Sequence, residues 1–128
     1  MSFSKSLSVL NDLTAEISEE VRKVGFKVLQ GVTLKTPKDT GLATSSWLVG
    51  IQSPPTKQPT ASPTDAAGST SYAVNAGLSV INVYPKQQLP DLWIVNNLPY
   101  IERLNDGYSL QAPAKFVEQS IAEAVSGR

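Results

Sequence analysis

The side chains that carry most enzymatic chemistry are the ones this sequence lacks. It contains no histidine and no cysteine. That removes the commonest general base, the commonest metal ligand and the thiolate nucleophile. Three carboxylates stand out: Asp39, Glu102 and Asp106. To act as an acid/base pair or as ligands of a hard cation they would have to converge, and nothing in their spacing brings them together. Asp39 and Asp106 sit in turn contexts, where aspartate serves backbone hydrogen bonding, so a structural role is expected of them. Trp47 and Trp93 could stack on bases or sugars. Set in apolar strands, they are expected in a core instead. Asn96 and Asn97 follow an apolar run. They are expected to satisfy the carbonyls and N–H groups of a bend, or to touch a neighbouring chain. Pro99-Tyr100 makes a rigid apolar edge suited equally to a core or a subunit contact. There is no glycine-rich phosphate loop, zinc-ligand spacing or basic helix. Neither cofactor nor metal is expected.

The elements that must position these residues can be read from periodicity. Residues 6–34 predict one long amphipathic helix. Leu7, Leu10, Leu13, Ile17, Val21, Val24, Val28 and Val32 step by three or four and so share a stripe. Gly25 and Gly31 weaken it locally, and the Thr36-Pro37 step ends it, because proline disfavours helical geometry in the residue before it. A loop is expected over 38–43, with Gly41 supplying a positive φ. A strand is expected over 45–52, where Trp47, Val49 and Ile51 alternate, and Pro54-Pro55 stops it.

Residues 53–71 hold four of the nine prolines among Ser, Thr, Ala and Gly. A stretch so long and aperiodic is expected to be mobile in a free subunit and ordered against a partner. Residues 72–84 fit either a short helix or a strand ending Val80 to Tyr84. A turn follows over 85–91. A second strand is expected at 92–97 and a short element near 100–104. Asn105-Asp106-Gly107 predicts a tight turn. A last helix is expected from Pro113 to Val125, with Phe116, Val117, Ile121, Ala124 and Val125 on its buried face and Gly127 just past its end. The fold class is therefore α+β: one domain over 1–128, with a small antiparallel sheet packed by a long N-terminal and a C-terminal helix.

Two stretches carry a resemblance. Thr36-Pro37-Lys38-Asp39-Thr40-Gly41 with Ser45-Ser46-Trp47 resembles the N-terminal signature of the tailed-bacteriophage neck, or tail-completion, proteins grouped with the gene-10 product of phage HK97. Ile94-Val95-Asn96-Asn97-Leu98-Pro99-Tyr100, Leu104-Asn105-Asp106-Gly107-Tyr108-Ser109 and Gln111-Ala112-Pro113 resemble the C-terminal signature of the same family. Together they frame residues 8–126. The resemblance favours a helix over 72–84. It implies a structural virion protein that works by association. Copies would form a ring-shaped homo-oligomer, hexameric or dodecameric, beneath the portal and its adaptor. That ring would join the head to the tail tube or tail terminator and let DNA pass without reading it. It departs from the family at Leu42-Ala43, where a basic residue is usual, so no electrostatic role is expected of that loop. A tail terminator ring is the nearest alternative. A monomeric virion-associated module presenting residues 53–71 is a further one.

Composition agrees with association. Eleven basic residues balance eleven acidic ones, which argues against binding driven by phosphate neutralisation and favours packing into an assembly. No apolar run approaches the ~18–20 residues of a membrane span. The first residues lack a signal-peptide core, so synthesis in the host cytoplasm is expected.

Overall fold

The computed structural model describes residues 3–38, 40–107 and 114–126, with residues 3–10 described by backbone alone. In chain order the elements are α1 (Phe3–Lys35), α2 (Leu42–Ser45), β1 (Trp47–Ile51), α3 (Ser69–Ile81), β2 (Leu92–Asn96), α4 (Ile101–Asn105) and α5 (Phe116–Ser126). The architecture is α+β. β1 and β2 pair antiparallel, with Trp47 opposite Asn96, Val49 opposite Ile94 and Ile51 opposite Leu92. The helical reading of 72–84 holds over 72–81; α3 begins earlier, at Ser69, and ends at Ile81. No described helix is long and apolar enough to cross a membrane.

At 33 residues, α1 spans roughly 50 Å. The apolar stripe identifies the helix but not its most buried face. The residues most deeply covered are Ser18, Gly25, Leu29, Val32, Thr33 and Thr36. Leu13 and Ile17 are each 51% exposed. The buried hydroxyls sit comfortably because they bond within the chain. Thr33 Oγ1 donates to the Leu29 carbonyl at 2.8 Å, Thr36 Oγ1 donates to the Val32 carbonyl, and Ser18 Oγ donates to the Pro85 carbonyl. A helix hydroxyl that returns to the preceding turn costs little to bury. Leu7 and Leu10 belong to the backbone-only stretch.

Small residues decide where the layers meet. A Cβ on Gly25 would lie 2.4 Å from Leu92 Cδ2, and one on Gly77 would lie 2.4 Å from Leu29 Cδ2 and 2.8 Å from Val49 Cγ2. α1 and α3 thus press backbone-close beneath the sheet. Leu29, Val32, Trp47, Val49, Ala73, Ile81 and Phe116 form the core. The C-terminal end of α1 is tied to β1 through one hydroxyl: Thr36 Oγ1 accepts the Trp47 indole N–H at 2.9 Å while donating to its own helix.

Four expectations need correction. Residues 42–45 form a helical turn rather than continuing the loop, and β1 starts at Trp47 rather than 45. α5 starts at Phe116; Pro113 lies outside the described residues. Its buried residues are Phe116, Ser120 and Ala124, whereas Ile121 and Val125 are 45% and 46% exposed. Beside Phe116 the covered face carries the small Ser120 and Ala124, with the Ser120 hydroxyl returned to the Phe116 carbonyl at 2.8 Å. Trp93 is the fourth: it is 37% exposed, because the pleat turns it to the face opposite Trp47 and Val49.

Gly77→Val should therefore overpack the α1–α3–β1 junction and lower stability by about 1–3 kcal/mol. Gly107 has φ +99°, so Gly107→Val should cost at least about 1 kcal/mol by backbone strain. Thermal unfolding of both variants, compared with wild type, checks the two mechanisms; an unchanged midpoint would count against the one concerned.

Candidate interaction surface

Of the three candidate carboxylates, Glu102 and Asp106 lie one turn apart at α4, where the Asp106 N–H bonds the Glu102 carbonyl at 2.9 Å. Asp106 is half-exposed and meets Lys115 Nζ at 2.9 Å. That hydrogen bond to Asp106, with the carboxylate's charge, holds the Lys115 ammonium above its ordinary range. Glu102 is exposed on α4. Asp39 and Gln111 lie outside the described residues. Among the described residues no three acidic side chains gather where they could hold a metal ion.

Asparagine is used as a clamp. Asn105 closes α4 and fixes the start of α5. Its carbonyl accepts the Lys115 N–H, its Oδ1 accepts the Val117 N–H at 2.9 Å, and its Nδ2 donates to Glu118 at 2.8 Å. The predicted Asn-Asp-Gly turn is thus the end of α4, with Gly107 in the left-handed region. Asn96 Nδ2 donates to the Ala43 carbonyl at 2.9 Å, and its Oδ1 accepts the Leu98 N–H at 3.1 Å. Asn97 Nδ2 donates to the carbonyls of Pro55 and Lys57 at 3.1 and 3.0 Å. Both amides therefore bond within the chain, as the bend reading expects. The long-range carbonyls they reach are invisible in sequence spacing. At the other signature, Gly41 has φ +81° and Thr40 Oγ1 accepts the Leu42 N–H at 3.3 Å.

Among the described residues, exposed apolar side chains occur on both faces of β2. On the outer face of the sheet, Trp93 donates its indole N–H to the Gln52 carbonyl at 3.1 Å and keeps its ring partly exposed. Pro99 and Tyr100 are exposed as well, the tyrosine by 42%. The face toward α1 is an open groove of about 470 Å³, lined by Ile17, Val21, Val24 and Val28 of α1, Leu92 and Ile94 of β2, and Ile121 of α5, with Glu20 on its rim. These α1 residues belong to the stripe that periodicity assigned to the core. They are apolar at helical spacing, but only one side of the stripe is covered by the sheet.

A smaller cavity of about 260 Å³ lies where residues 57–63 fold over Ser45, Ser46 and Trp47, with Tyr72 on its wall. The 53–68 segment follows a defined path here. Asn97 pins its start, Ser62 Oγ donates to the Thr64 carbonyl at 2.7 Å, and Asp65 Oδ1 accepts the Gly68 N–H at 2.8 Å.

The fold and these surfaces define a small α+β domain with an unpartnered apolar groove. Compared with known proteins, the chain matches no family model, no curated protein and no solved structure.

Asn97→Ala removes both pins on residues 55–57 while leaving the core untouched. Trypsin should cleave after Lys57 several-fold faster in this variant, with the unfolding midpoint lowered by less than about 1.5 kcal/mol equivalent. Cleavage at the wild-type rate would mean that the segment is held by other contacts.

Proposed function

We propose that this chain is a structural virion protein of a tailed phage, a neck or tail-completion component. Its copies form a ring that connects the portal and adaptor to the tail tube or tail terminator, with DNA passing through the lumen unread. The observation that carries the reading is the open groove along α1. Leu13 and Ile17 on the same helix are half-exposed, and contiguous apolar surface of this kind marks association. The two signature-like stretches and the balanced charge support it.

A ring needs two different surfaces per subunit, because a head-to-tail contact joins unlike patches. The groove and the exposed Trp93, on opposite faces of β2, are such a pair. Leu92 and Ile94 turn toward α1, and Trp93 between them turns away. The action is therefore binding without covalent chemistry. A tail terminator ring would use the same kind of contact, one tier further along the tail.

Two measurements test this. Cryo-EM of the particle whose genome encodes the chain should place it between portal and tail tube; a position elsewhere overturns the reading. Ile17→Asp lies at an exposed site, so monomer stability should change by no more than about 0.5 kcal/mol. Tailed particles should nevertheless fall at least about tenfold, with filled heads accumulating, counted by electron microscopy.

A further inference from the structure

We propose that the α1 groove accepts α1 of a second copy of this chain, running antiparallel, so that free subunits form a two-fold pair. The order of charge along the groove's rim carries the inference. Glu16, Glu20, Lys23 and Lys27 step by four, three and four along α1, and so form one column down the helix. That column flanks the apolar stripe of Leu13, Ile17, Val24 and Val28, and Glu20 itself lies on the groove wall. The sequence of signs is acid, acid, base, base. Past Lys5, the helix repeats it. From Asn11 to Val21 every charged residue is acidic: Asp12, Glu16, Glu19 and Glu20. From Arg22 to Lys38 every one is basic: Arg22, Lys23, Lys27, Lys35 and Lys38.

Two such helices laid parallel would set glutamate beside glutamate and lysine beside lysine. Laid antiparallel about an axis between Val21 and Arg22, they bring Glu16 to Lys27 of the partner subunit and Glu20 to Lys23 of the partner subunit. The same axis sets Leu13 and Ile17 against Val24 and Val28 of the partner subunit. In paired helices the apolar seam supplies affinity and the flanking charges choose orientation. The other side of the seam is already formed by Leu92, Ile94 and Ile121. Ile121 also limits the contact, because α5 covers the stripe beyond Val28. Lys35, at that covered end, is bound to Glu123 at 2.7 Å.

A two-fold contact closes on itself and stops at two copies. The pair would occupy the groove that a ring contact needs, and so hold subunits in reserve until a stronger partner displaces it. The pairing does not depend on the neck reading, since it concerns the isolated chain.

Analytical ultracentrifugation of the purified chain over a wide concentration range tests it. A species of twice the 13.7 kDa chain mass is expected. One variant carries Glu16→Lys with Glu20→Lys, and another carries Lys23→Glu with Lys27→Glu. Each should self-associate at least about tenfold more weakly, and their equimolar mixture should pair with wild-type affinity. Circular dichroism confirms that each variant is folded. The chain has no native cysteine, which allows a second measurement. Under mild oxidation Glu20→Cys, near the axis, should cross-link to its counterpart, and Asn11→Cys, far from it, should not. A chain that stays monomeric throughout overturns the proposal, as does a mass that grows past the pair. So does a pair indifferent to both charge variants, which would point to another occupant, such as a strand laid along β2.

Discussion

A two-stranded sheet is marginal in water, and here it exists because two helices lie close beneath it. The constraint is steric. Gly25 lets α1 meet Leu92, and Gly77 lets α3 meet both Leu29 and Val49. A Cβ at either place would require those side chains to move aside. The core that results is built from few large residues, among them Leu29, Ile81, Phe116 and Trp47. Close approach substitutes for bulk, since dispersion attraction falls steeply with even a small gap. The rest of the molecule inherits this arrangement, including which side of α1 is covered and which is left open.

Polar side chains carry much of the connection between elements. Three asparagines, Asn96, Asn97 and Asn105, each reach backbone groups on another segment. Thr36 links α1 to β1 by accepting from the Trp47 indole and donating to its own helix. An amide or hydroxyl used twice in this way leaves few buried groups without partners, which matters because an unmet one costs about 1–3 kcal/mol. It also explains how a chain with so many Ser and Thr residues near its core remains well packed.

Most of the element order was legible in the residues. The three-and-four spacing marked α1, Pro37 marked its end, alternation at Trp47, Val49 and Ile51 marked β1, and Gly107 marked the end of α4. The covered face of α1 was not legible. Periodicity ranks Leu and Val above Ser, Thr and Gly, yet here the small residues face the core because distance, not hydropathy, decided the packing. On α5, likewise, Ile121 and Val125 are exposed while Ser120 and Ala124 are buried. Trp93 was misplaced because apolar character alone does not say which side of the pleat faces the helices. The asparagine contacts were legible as polar satisfaction at a bend, but their partners at Ala43 and Pro55 lie too far away in sequence to be inferred.

That inversion bears on function. α1 and α5 each bury one side, where Leu29, Val32 and Phe116 sit beside small residues, and leave other large apolar residues exposed. Ile17, Ile121 and Val125 are exposed for that reason rather than by accident of a loose surface. On the proposed reading another chain covers them, and the rim decides which chain fits. A rim of one sign would suit a partner of the opposite sign. The rim of α1 changes sign midway, so its best complement is itself, reversed. Under the proposed pairing such a surface would serve two purposes: it would join weakly to its own kind while subunits are free, and yield to a larger contact when one is offered. Affinity for the final neighbour then has to exceed only the strength of a short helical seam, and the free subunit is spared an open apolar groove in the meantime.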